Sequence, residues 1–285
     1  MSDSPEQPAA EVPGDANALR GYHFRRLLGR PAVLILIGVL VVAAGTACAI
    51  FVSALIGAGA ALAVLLLALV VVLVIADSMA ADAFFADYAT QRGLELGGRS
   101  PLPASTPLLR KGDDRYAERT LSGPFADGVE GILALYTYEE ESTDSEGNRQ
   151  TNYYRYTVGM VNVPECSAFV PELFCQRKFG LRALEGFEDA FRRSKERVKL
   201  ESEALDQKYE IFTGKGQDNV WLRRLFSPTF IVWLSDQAPK KFAFELVDGV
   251  LCCYVHGHKE KAEDLDGIRA ASAAVATRLR EEALE

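Results

Sequence analysis

Three residues near the C-terminus have the types and spacing of a metal site. Cys252, His256 and His258 lie in the stretch CCYVHGH. Along a strand, side chains alternate between faces, so all three would share one face, away from Cys253. Thiolate and imidazole are zinc ligands, and a three-ligand set leaves a fourth position open. The neighbours oppose this chemistry. The hairpin register described below puts Lys241 beside His256 and Glu245 beside Cys252. An ammonium group repels a bound cation. The third histidine, His23, lies far away in sequence, and there is no CxxC or HExxH. The competing reading is a half-exposed strand end carrying ordinary polar side chains.

Other patterns point to less. Thr213-Gly214-Lys215-Gly216 leads into a helix, where backbone N–H groups can hold an anion. A P-loop needs GxxxxGK[ST], and here Gly216 follows the lysine. A strand-to-helix loop explains the residues equally. Glu263-Asp264-Leu265-Asp266-Gly267 looks superficially like a calcium loop, but with Asp264 as position one, Ile268 falls at position five, and the later glutamate is missing. Those acids more simply favour the start of a helix through its dipole. Glu139–Glu141 with Asp144 and Glu146 make an acidic hairpin tip, a solvated face unless two of them pair as catalytic carboxylates. Tyr136, Tyr138, Tyr153, Tyr154 and Tyr156 could form an aromatic platform, though cross-strand packing accounts for them without a ligand. There is no GxSxG elbow. These patterns assign no catalytic residue and no cofactor, and the chain reads as more binding module than enzyme.

The elements behind these residues begin with an apolar run. Residues 32–76 contain no charged side chain, and Arg30 and Asp77 bracket them. As one helix they would span roughly 67 Å, twice the hydrocarbon thickness of about 30 Å. Two helices of about 20 residues fit, with a turn between Ser53 and Ala60 at Gly57 and Gly59. The run is too long for a signal peptide. Arg20, Arg25, Arg26 and Arg30 precede it, which predicts a cytoplasmic N-terminus and, after two crossings, a cytoplasmic C-terminal domain. Phe84, Phe85 and Tyr88 mark either the membrane interface or the first core contact of that domain.

The remainder reads as α+β. Gly131–Glu141 and Thr151–Val163 alternate as strands around an acidic turn, Leu173–Lys178 and Tyr209–Thr213 read as further strands, and Val198–Leu200 as a short one. Gly186–Arg197 suggests a short helix. Helices follow near Gln217–Phe226, capped by Asp218, and from Ser227-Pro228. Asp248-Gly249 is a type I′ turn signature between Lys241–Val247 and Val250–His256, pairing 247 with 250. Phe242, Phe244 and Leu246 then face Val255, Cys253 and Leu251, so Cys253 should be buried and Cys252 less so. The last helix runs from Ala262 to about Glu282, with Leu265, Ile268, Val275 and Leu279 forming a stripe that Ala271 and Ala274 widen. Four parts are expected: a disordered tail over 1–30 with a basic juxtamembrane end; a two-helix transmembrane hairpin over 31–76; a helical extension and linker over 77–100; and a cytosolic domain of antiparallel hairpins with packed helices over 101–285.

The order of these elements resembles a bacterial membrane-anchored family of unknown function. The likeness rests on Tyr209-Glu210-Ile211-Phe212, a short helix, Leu225-Phe226-Ser227-Pro228-Thr229-Phe230, a hairpin and a terminal helix after a membrane hairpin. It implies an integral two-pass protein and no site residues. The acids and bases of residues 1–31 cancel, so the net charge of −8 falls on the part after the apolar run. An acidic domain excludes nucleic acid as a natural partner. The five cysteines form no dense framework, which argues against disulfide stapling. The expectation is a tethered domain that binds a protein or small ligand as adaptor or sensor, with another membrane protein or a second copy as candidate partners. The competing classes are a membrane-bound enzyme without a recognisable motif and an accessory subunit of a transport system.

Overall fold

The structure is a computed structural model that describes residues 16–51, 54–143, 147–177, 195–200 and 202–284. The chain divides into two compact units, Met1–Tyr88 with Glu260–Ala262, and Ala89–Lys259 with Glu263–Glu285.

In the first unit, α1 (Ala16–Leu28), α2 (Pro31–Phe51) and α3 (Ala54–Arg92) follow one another. The tail expected to be disordered is helical from Ala16, while residues 1–15 lie outside the described residues. Packing explains the difference: Leu27 of α1 is buried with Val72 and Ala76 of α3, and Phe24, Leu28, Val33, Ile37 and Met79 pack against them. Gly29 and Pro31 separate α1 from α2, because proline cannot donate a backbone hydrogen bond but suits a first helical turn. The stretch Ala58–Arg92 is long and apolar enough to cross a membrane, and only 6% of its most apolar window is buried. A core helix of a water-soluble domain would be mostly covered. Leu19–Leu28 and Pro31–Ala47 meet that test as a pair, bent by 68°. Gly57 and Gly59 lie inside α3, not in a turn. The helical extension expected after residue 76 is present, and α3 runs on without a break to Arg92. Phe84, Phe85 and Tyr88 are buried, with the two phenylalanine rings edge-on at 5.0 Å, so they do not form an exposed aromatic belt.

The second unit is built on one antiparallel sheet of nine strands in the order β1-β2-β3-β4-β9-β8-β5-β7-β6. These are β1 (Glu95–Gly97), β2 (Asp114–Ala126), β3 (Val129–Thr143), β4 (Arg149–Asn162), β5 (Glu172–Arg177), β6 (Lys195–Val198), β7 (Tyr209–Gly214), β8 (Ala243–Val247) and β9 (Val250–His256). Its helices are α4 (Glu203–Lys208), α5 (Asn219–Leu225), α6 (Pro228–Val232) and α7 (Ala262–Leu284). β1 occupies residues expected to be linker, and Lys195–Arg197, expected to be helical, are strand; residues 186–194 of that expected helix lie outside the described residues.

The β8–β9 register is the one the turn dictates: Glu245 pairs with Cys252 and Phe244 with Cys253. Asp248 (φ 48°) and Gly249 (φ 77°) both take the left-handed conformation that a type I′ turn requires. Lys241, itself at φ 61°, lies before β8 rather than in register with His256. Leu265, Ile268, Ser272, Val275 and Leu279 of α7 are buried. α7 approaches β4 so closely at Gly159 that a Cβ there would stand 3.1 Å from Ser272 Cβ. The opposite sheet face carries Ala134, Tyr136, Tyr138, Tyr156, Val158, Cys252 and Tyr254, under Leu108 and Leu109. Both faces are therefore covered, and Cys252 is as fully buried as Cys253, contrary to the expectation of a half-exposed strand.

Candidate functional site: a groove beside the C-terminal helix

The residues singled out by type separate in space. Cys252 sits at 0% exposure beside Glu245. Burial pushes its thiol well above the usual range, and the Glu245 carboxylate pushes the same way, so the thiolate that a metal needs is disfavoured. His256 is exposed, its ring edge-on to Tyr156 at 5.4 Å. Gly257, at φ 83°, then turns the chain and breaks the strand alternation. His258 consequently meets Thr137 Oγ1 at 3.3 Å and the Tyr136 carbonyl at 3.2 Å, with Glu118 Oε2 at 3.8 Å from its other nitrogen. Thr137 points to the face opposite Tyr136, so His258 does not share a face with Cys252. Among the described residues, no three His, Cys, Asp or Glu side chains group as a metal site.

The anion-loop pattern has its own occupant. Asp218 caps α5, accepting from Val220 N at 2.8 Å, so a carboxylate already fills that helix start. Four of the five tyrosines pack together: Tyr138 stacks on Tyr154 at 4.8 Å and on Tyr156 at 6.0 Å, and Tyr136, Tyr138 and Tyr156 are fully buried, whereas Tyr153 is exposed.

Sequence reasoning missed a buried carboxylate. Glu245 is at 0% exposure, accepts from Leu108 N at 2.9 Å and lies 3.5 Å from the Tyr254 hydroxyl. Burial raises its carboxyl, against the lowering by the Leu108 N–H and the Lys111 ammonium. Burial in turn lowers the Lys111 amine, opposed by Glu140 and Glu245. Perturbed groups often mark sites, but this one is sealed and no ligand reaches it. Its role is to tie the Leu108 turn onto the sheet.

An open concavity of this unit lies elsewhere. A groove of about 710 Å³ runs between α6 and α7. Ser227 caps α6 through Phe230 N at 3.4 Å, with Pro228 in the first turn. The helix continues as a π-type turn, Trp233–Gln237, closed by Ala238 N to Trp233 O at 2.9 Å. This winding stacks Phe230 on Trp233 at 5.5 Å, and Phe125 at the end of β2 adds to the wall. The floor is Ala270, Ala273, Ala274 and Thr277 of α7, and Arg278 and Glu281 stand at the rim. Arg278 is held in place by the carbonyls of Leu225 at 3.2 Å and Arg224 at 2.5 Å, and by an ion pair to Glu282. The lining offers no nucleophile–base pair. It offers apolar walls, a small-residue floor that admits close approach, and one charge of each sign. Ala274, expected in the buried stripe, is exposed on this floor. Ala270, Ala274 and Thr277 share one helix face by their i, i+4 and i+7 spacing, but that spacing alone does not distinguish an open face from a covered one.

No family model matches the chain, and no curated protein matches it. Among solved structures, the crystal structure of the mycobacterial trehalose monomycolate transport factor A, TtfA, is similar over 69% of this chain and 90% of that one, with 10% identity and a TM-score of 0.42. No function is taken from a likeness of that size.

Proposed function

We propose that this protein is a membrane-anchored binding module whose acidic α+β domain takes apolar side chains of another membrane-resident protein into the groove between α6 and α7. The observation that carries this reading is the groove itself: Phe230 and Trp233 face the exposed Ala270, Ala274 and Thr277. Aromatic walls around a small-residue floor favour apolar anchors, and the Arg278–Glu281 rim supplies orientation. Two transmembrane helices form the anchor. Val33 and Ile37, near the start of α2, share an apolar cluster with Leu27 of α1 and with Val72 and Ala76 of α3, which supports placing the basic end of the apolar run and its Asp77 end at the same membrane face. Arg20, Arg25, Arg26 and Arg30 support a cytoplasmic domain. Confinement to the membrane raises the effective concentration of any co-resident partner without new contacts.

The test compares wild type and Ala274→Trp, each captured from intact membranes after chemical crosslinking. Indole on the floor fills the groove, so a partner recovered with wild type should be lost with the variant. Equal recovery, or turnover of a small substrate abolished by one lining residue, would overturn the reading.

A further inference from the structure

α1 contains Arg20, Arg25 and Arg26, and Arg30 follows at the junction with α2. No acidic side chain occurs between Asp15 and Asp77. Arg20 is committed, pairing with Asp77 and with Glu260 at 2.8 Å. Arg25, Arg26 and Arg30 are exposed, and none has an ion-pair partner among the described residues. Tyr22, 59% exposed, lies one turn before Arg25 and Arg26 on the same outer face. The inner face, through Leu27, packs on Val72 and Ala76. Those residues immediately precede Asp77, the first charge after the apolar run. α1 is thus fixed at the level where apolar side chains give way to charged ones. The Leu19–Leu28 helix is also bent 68° from Pro31–Ala47, which carries it along a membrane surface when α2 crosses. A cleft of about 420 Å³ lined by Phe24, Leu73 and Val74, with the Arg20–Asp77 pair at its edge, leaves apolar surface beside α1.

We infer that α1 is an interfacial helix whose Arg25, Arg26 and Arg30 dock onto anionic lipid headgroups. The inference rests on the membrane-anchored reading above. Charge complementarity selects the partner: three guanidinium groups with no carboxylate partner among the described residues, at the headgroup level, match phosphate-bearing lipids. Tyr22 fits the same depth, with its ring in the apolar boundary and its hydroxyl in the polar layer. The acidic domain is itself repelled by such lipids, so attraction concentrates in this helix.

The experiment places the full chain in nanodiscs of pure phosphatidylcholine and of phosphatidylcholine with phosphatidylglycerol, and follows amide hydrogen exchange along α1. Each arginine near an anionic surface contributes about fivefold, so protection should rise by up to the order of a hundredfold with phosphatidylglycerol. The gain should vanish in R25Q/R26Q/R30Q, persist in R25K/R26K/R30K, and fall in molar salt, where screening shortens to about 3 Å. Equal exchange of wild type in both lipids, with the protein stably inserted, would overturn the headgroup proposal while leaving the anchor intact. Failure of wild type to insert in either disc would overturn both.

Discussion

Substituting Gly159 with alanine tests how α7, the floor of the groove, is seated on the sheet. The added Cβ would lie well inside van der Waals contact of Ser272 Oγ and 3.1 Å from Ser272 Cβ. The hydroxyl cannot rotate away freely, because it donates to the Ile268 carbonyl at 2.8 Å. Losing that bond costs about 1 kcal/mol, and moving the helix back adds an overpacking cost of about 1–3 kcal/mol. Against this, alanine restricts the unfolded chain and returns about 0.4–1 kcal/mol. The net expectation is a loss of about 1–3 kcal/mol. Both tryptophans, Trp221 and Trp233, lie in this unit, so their fluorescence in urea reports its unfolding in the detergent-solubilised full chain. Ser272→Gly removes both clashing atoms, so the double variant should recover at least about 1 kcal/mol of the loss beyond additivity. If Gly159→Ala costs the same with and without Ser272→Gly, the close approach is not what limits this position.

Three further outcomes follow from the same structure. Glu245 has a carboxyl raised by burial, so between its unfolded and folded values the native state holds a proton that the unfolded chain has lost, and stability falls as pH rises through that window; Glu245→Gln, which still accepts from Leu108 N, should abolish that slope, and parallel pH profiles of urea midpoints would contradict it. Gly249→Ala should cost about 2 kcal/mol or more, because φ is 77° and the new Cβ would meet Pro164 Cα at 2.8 Å; an unchanged urea midpoint would be the contrary result. Cys252 and Cys253 should both resist thiol reagents until the domain unfolds, the Cys253 thiol being pushed up to about 12 by burial, and fast native labelling of Cys252 would show that its sheet face is open.

What could be read from the sequence was whatever local chemistry determines. Asp248-Gly249 admits few backbone conformations, so the register of β8 and β9 followed from two residues. The same holds for the β3–β4 hairpin, for the Asp218 and Ser227 caps and for α7. β2 was illegible because its alternation is broken twice, by a bulge at Glu118 and another near Phe125, with Gly123-Pro124 between them. α1 has little amphipathic pattern of its own and owes its place to Val72 and Ala76, distant in sequence. The burial of Cys252 depended on a non-local cover, the Leu108 turn held by Glu245. The strand alternation that put Cys252, His256 and His258 on one face ends at Gly257, where a single left-handed residue turns His258 toward Thr137. The groove escaped notice because a small-residue stripe reads the same whether it is buried, like Ala271, or open, like Ala274.

Whatever touches the groove in intact cells tests the proposed binding role most directly. A photo-crosslinking amino acid at Thr277, on the exposed floor, reports this without disturbing the buried stripe. Illumination of intact cells should give a discrete adduct with one membrane protein, absent when the same probe replaces Glu141, exposed at the far end of β3, and lost with Ala274→Trp. Adducts equal from both positions, or none from Thr277, would contradict a membrane-anchored module that works through this groove.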